Sequence, residues 1–132
     1  MRKPGSLQSR SVQGKPLTLY GTCYGLLVEH YLGSWTLPDQ SIADWVISFQ
    51  DPATGYFIGP ELDGFKPPSS VLHDRDHLLW HLTCAVLPVC SQFGWKLPYP
   101  LRDARRFCDR DVLRDWCRKR NWKHAWFEGN NI

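Results

Sequence analysis

The sequence predicts an all-α fold built from antiparallel helical hairpins. Three observations carry that expectation. Apolar residues recur at three-to-four spacing in several separate segments. Pro, Asp, Ser and Gly stand where helix starts and stops belong. The first two periodic segments are joined by only a few residues, which sets neighbouring helices antiparallel. With 132 residues, 42% of them hydrophobic and seven of them Trp, the chain is about one small domain with ample material for a core.

Residues 1–15 are polar and rich in Gly, Ser and Gln, which predicts a flexible leader ahead of a helical domain over 16–132. Pro16 suits a first helical position, where its missing N–H sacrifices no bond. Leu17, Tyr20, Tyr24, Leu27 and Tyr31 then form an apolar stripe, and Gly33 supplies the stop. Pro38-Asp39 opens a second helix carrying Ile42, Trp45, Val46 and Phe49. Residues 51–70 form a long irregular connection holding Pro52, Gly55, Pro60, Gly64, Pro67 and Pro68, and connections of that length are often functional.

Ser69 or Ser70 caps a third helix, with Asp74 and Asp76 placed favourably for its dipole. Leu72, Leu79, Leu82, Val86 and Val89 supply its apolar face, and Pro88 kinks it or marks its last turn. Residues 94–100 connect to a fourth helical region over 101–120, broken near Cys108-Asp109. Residues 122–132 read as the start of a further helix that stops short, so the chain holds two hairpins and the beginning of a third.

Within this rhythm one segment stands out. An apolar helical face (Trp45, Val46, Phe49) runs into Gln50, a Pro/Gly turn follows, and the segment closes on Tyr56-Phe57. Gln50-x4-Gly55-x-Phe57 resembles the Gln-Trp motif of the terpenoid cyclase and protein prenyltransferase superfamily, with Phe57 where the family has Trp. The resemblance spans about 17–132. It implies part of an α/α toroid, in which each hairpin supplies an outer and an inner helix and about six hairpins surround a central cavity. Isoprenoid cyclases and prenyltransferases belong to it, and other toroids act on glycans. Gln50 is expected to tie helices together, because a Gln at a helix end satisfies free backbone groups.

Two clusters supply the candidate catalytic groups Asp74, Asp76, His77, His81 and Glu128. His73, His77 and His81 fall on one helical stripe, and imidazoles one turn apart can share a metal. No second ligand set or His-Glu-x-x-His pattern accompanies them, so no metal is assigned and the cofactor stays open. The ordinary reading is a polar first turn whose acids serve the helix dipole. In 122–131, Glu128, Asn130 and Asn131 stand beside Trp126 and Phe127, a composition suited to a polyhydroxylated ligand; a helix-capping turn with core Trp residues is the plainer account. Tyr56 and Phe57, with Glu61 and Asp63 in the same loop, are expected to form a rim over a cavity. The candidate ligand-binding set is therefore Tyr56, Phe57, Trp126, Asn130 and Asn131.

Charge and sulfur bound the remaining classes. The net charge is +3, yet residues 102–123 hold nine Lys/Arg against four Asp. Asp111 with Arg114, and Asp115 with Arg118 or Lys119, fit intrahelical ion pairs, so a solvated face is favoured there over a phosphate-binding one. Five Cys without a Cys-x-x-Cys pair read as reduced, buried thiols of a cytoplasmic protein. No apolar run is long enough to span a bilayer. The expected partner is a small-molecule ligand, isoprenoid or saccharide, of an enzyme-like domain, with a protein-interaction module as the alternative and nucleic acid the least favoured. A half-ring with exposed apolar edges is also expected to self-associate.

Overall fold

The computed structural model describes residues 17–33, 38–63 and 75–124. Over these residues the protein is all-α. Its helices are α1 (Leu19–Tyr31), α2 (Gln40–Ile47), α3 (Arg75–Phe93) and α4 (Arg110–Arg118), with short 3₁₀ segments at Pro60–Leu62, Asp103–Cys108 and Trp122–His124. No strand occurs among the described residues; one antiparallel bridge joins Gln50 to Phe57.

The helix ends follow local chemistry. Thr18, rather than Pro16, starts α1: its hydroxyl accepts the Gly21 N–H, satisfying one of the amides that a helix leaves free. Asp39 caps α2 and Asp109 caps α4, the latter accepting from both Asp111 and Val112. Gly33 and Gly94 follow α1 and α3 at φ 68° and 67°, in the left-handed region where glycine carries no side-chain penalty. At the end of α3, Gly94 N–H bonds to Ser91 O and Trp95 N–H to Cys90 O, which closes the last turn on itself. Pro88 lies inside α3, and the helix continues five residues past it to Phe93. Pro88 and Cys84 are both exposed, so water can reach the Cys84 carbonyl that the proline leaves without an N–H.

α1 buries a different face from the one its aromatic spacing suggests. Leu19, Thr22, Cys23 and Leu26 point inward, whereas Tyr24 and Tyr31 are 46% and 76% exposed. The helix is apolar on two sides, and α3, its main helix partner, takes the narrower aliphatic one. Leu19, Cys23 and Leu26 interlock there with Leu82, Val86, Val89 and Cys90, while Val46 from α2 and Phe57 and Leu62 from the following loop complete the core. Fully enclosing a Leu, Val or Phe side chain contributes about 1.5–3 kcal/mol, so this cluster supplies most of the cohesion of the fold. All five Cys are free. Cys23 and Cys90 are buried as expected, but Cys84 and Cys108 are exposed and Cys117 is half-buried.

Candidate functional site

The Gln50 segment forms a staple between two connections. Its side-chain Nε2 donates to the Gly55 carbonyl and to the Tyr99 carbonyl, both at 2.8 Å, and its Oε1 accepts the Tyr99 N–H at 3.1 Å. A primary amide is the group that matches a peptide unit in this way, one donor and one acceptor side by side. Arg102 N–H donates to the Thr54 carbonyl at 3.0 Å and extends the junction. Gly55 sits at φ 82°, and a Cβ there would fall inside the Pro100 carbonyl. Within the turn, Asp51 accepts from the Ala53 and Thr54 amides and from the Thr54 hydroxyl. Its carboxyl is held below the usual range, first by the Thr54 hydroxyl. The tying role expected of Gln50 is thus met through the loop after α3.

A cleft opens elsewhere, where the N-terminus of α1, the 60–62 turn and α3 meet. It has a volume of about 520 Å³ and is lined by Thr18, Tyr20, Glu61, Leu62, Leu78, His81 and Leu82. Glu61 places its carboxylate across the start of α1, accepting Tyr20 N–H at 2.7 Å and Leu19 N–H at 3.1 Å. These are amides that no residue within the helix can satisfy, and a negative group there also complements the helix dipole. Gly59 makes room: a Cβ would strike the Glu61 carboxylate and Leu19.

On the opposite wall, His81 Nε2 and the Tyr20 hydroxyl lie 2.9 Å apart, donor and acceptor set by the imidazole tautomer. The two rings stack at 5.1 Å, and Tyr24 lies 4.6 Å beyond Tyr20. The Tyr20 hydroxyl is pushed up to about 12, first by its hydrogen bond with Tyr24 and then by burial, so it is a neutral phenol near pH 7. Chemically the cleft offers a mostly hydrocarbon wall with a hydroxyl, a carboxylate and an imidazole–phenol pair at its edge.

The expected site residues distribute unevenly over this arrangement. His81 lines the cleft, and His77 stacks on it at 6.1 Å between ring centroids, so two members of the expected stripe adjoin, while His73 falls outside the described residues. Asp76 lies in α3, with its side chain outside the described part. Asp74, Glu128, Trp126, Asn130 and Asn131 fall outside the described residues. Tyr56 and Phe57 do not line the cleft: they are 6% and 0% exposed. Phe57 belongs to the core, and its N–H donates to the Thr83 hydroxyl at 3.0 Å. Of the loop expected to form a rim, Glu61 and Leu62 are the residues that do so.

The spacing of Tyr20 points to the core stripe, and Thr18 and Glu61 carry no catalytic pattern; a Thr just ahead of a periodic segment is the sequence signal for the cap. Among the described residues no group of three His, Cys, Asp or Glu side chains is placed to hold a metal ion, and no helix is long and apolar enough to cross a membrane. No family model, curated protein or solved structure matches the chain.

Proposed function

We propose that this chain is a helical ligand-binding domain, enzyme-like in plan, that takes an apolar small molecule of the isoprenoid kind in the cleft between α1, the 60–62 turn and α3. The observation that carries the reading is the cleft itself. At about 520 Å³ it has the size of a small-molecule site, and its mainly apolar wall carries a few convergent polar groups. Leu62, Leu78 and Leu82 suit a hydrocarbon chain better than a saccharide, whose hydroxyls would be stripped of water without enough partners. The polar end of such a ligand would meet Thr18 and the His81–Tyr20 pair, the group able to exchange a proton with it. The Gln50 staple between successive connections supports the toroid-like part of the reading.

The test is calorimetric titration of the full chain with farnesol and, separately, with maltose. Saturable binding of farnesol, weakened about tenfold or more (roughly 1.4 kcal/mol) by Leu78→Asn with an unchanged circular dichroism spectrum, is the expected result. Tight maltose binding, or equal farnesol affinity in the variant, would overturn the assignment.

A second reading, a non-catalytic interaction module, is favoured by the outward face of α1. Tyr24, Val28 and Tyr31 form a stripe there, continued by Leu32, and Tyr31 and Leu32 are each 76% exposed. Light scattering distinguishes it: a dimer returned to monomer by Val28→Lys and Tyr31→Lys would establish this face as an interface between copies.

A further inference from the structure

The basic segment forms the expected ion pairs and leaves most of its cations outside them. Arg114 pairs with Asp111 at 2.9 Å and Lys119 with Asp115 at 2.7 Å, both as expected, while Asp109 is committed to capping α4. Of nine Lys/Arg over residues 102–123, the other seven have no carboxylate partner among the described residues.

Two of those seven are held by rings instead. Trp80, Phe107 and Trp116 form a ladder of edge-to-face contacts at 5.6 and 5.7 Å. The Arg106 guanidinium lies 4.9 Å from the Phe107 ring centre and 6.0 Å from that of Trp80. Arg120 lies 4.4 Å over Trp116, with its Nε buried and without a hydrogen-bond partner. Cation–π stacking fixes the plane of a guanidinium while leaving its edge free to bond a phosphate. Next to Arg120, the indole N–H of Trp122 donates to the Cys117 carbonyl at 2.8 Å, which anchors a ring that is 50% exposed.

We propose that the face formed by the 103–108 turn, α4 and Trp122 binds single-stranded nucleic acid, Arg106 and Arg120 gripping backbone phosphates and Trp122 stacking on a base. Ordered cations interleaved with an anchored, half-exposed indole are the combination such strands require, because every base offers a ring face and every linkage a charge. A strand presents discrete phosphates that can pass between the Asp111 and Asp115 ion pairs, which a continuous anionic membrane would repel. Among the described residues, the exposed large apolar side chains of this face are Val112 and Trp122, too few to insert into lipid.

The experiment is fluorescence anisotropy of a labelled oligothymidylate of roughly 20 nucleotides titrated with the full chain. Affinity is expected to fall with salt at a log–log slope of roughly −3, as for about four phosphate contacts on a single strand. The double variant Arg106→Gln/Arg120→Gln should bind about tenfold or more weakly with a shallower slope, whereas Trp122→Ala should weaken binding with the slope unchanged. Arg120→Lys keeps the charge without the planar fork and should lose affinity while the circular dichroism spectrum is retained. Absence of saturable binding at low salt, preference for a duplex or for phosphatidylserine vesicles, or indifference to these substitutions would overturn the proposal. Its failure would leave the cleft assignment untouched, since farnesol is not expected to compete with the oligonucleotide.

Discussion

Replacing Gln50 tests the junction on which the arrangement of the connections depends. The side chain is 5% exposed and makes three hydrogen bonds, two from Nε2 at 2.8 Å and one to Oε1 at 3.1 Å. Each is worth about 1 kcal/mol net, so Gln50→Ala should cost about 3 kcal/mol, a large share of the roughly 5–15 kcal/mol that holds a domain folded. Gln50→Glu is the sharper probe. It keeps an acceptor for the Tyr99 N–H but turns its second oxygen toward the Gly55 and Tyr99 carbonyls, where the native amide donates.

At pH 7 that carboxylate faces two carbonyl oxygens, so the variant should be no more stable than Gln50→Ala despite its near-identical shape. The folded environment favours the protonated acid, which can donate one bond, and so raises its pKa above the unfolded value of about 4.3. The unfolded chain then releases this proton first as pH rises. The stability of Gln50→Glu relative to wild type should therefore fall with increasing pH above about 4.3 and recover as pH is lowered. Urea unfolding followed by far-ultraviolet circular dichroism reads both effects, with a midpoint shift of about 1–2 M for Gln50→Ala. A cost below about 0.5 kcal/mol for Gln50→Ala, or a Gln50→Glu deficit that is flat with pH, would refute the bonding scheme.

Gly55→Ala should destabilise by about 2–4 kcal/mol in the same assay, because it adds positive-φ strain to a collision with the Pro100 carbonyl. Glu61→Ala should cost about 2 kcal/mol and raise hydrogen-exchange rates at the Leu19 and Tyr20 amides, which lose their acceptors. In the folded chain Ellman's reagent should titrate the exposed Cys108 first, Cys84 more slowly because burial raises its thiol pKa, and Cys23 and Cys90 only after unfolding. Burial pushes the Cys23 thiol from 9.0 up to about 12 and Cys90 up to about 11, so the unfolded chain releases these protons first. Stability should accordingly decline as pH rises above 9, with Cys23→Ala flattening the slope.

What was legible in the sequence was local. The all-α class, the helix start at Asp39, the stop at Gly33, the break beside Cys108 and the Asp111–Arg114 pair all depend on groups within four residues of one another. The bridging role of Gln50 was legible as a tendency, since a Gln at a helix end seeks backbone partners; that the partner is Tyr99, 49 positions away, was not. The cleft was half legible. His81 announced itself by its stripe, but Glu61 had no neighbour in sequence to mark it, because the amides it serves lie 41 and 42 positions earlier.

The sequence by itself determined the helical class, the start of α2 at Asp39, the stop of α1 at Gly33 and the Asp111–Arg114 pair, while α1 starts at Thr18 in place of Pro16 and α4 is confined to Arg110–Arg118. Tertiary structure decided which of two apolar faces α1 buries, sending Leu19, Cys23 and Leu26 into α3 and Tyr24 and Tyr31 outward. It also decided that Phe57 closes the core while Glu61 and His81 meet across a cleft. The reason is the range of the forces involved. Capping, backbone torsion and helical ion pairing act over one turn and are written in adjacent residues. Close packing selects among equally apolar surfaces only when the partner surface is present.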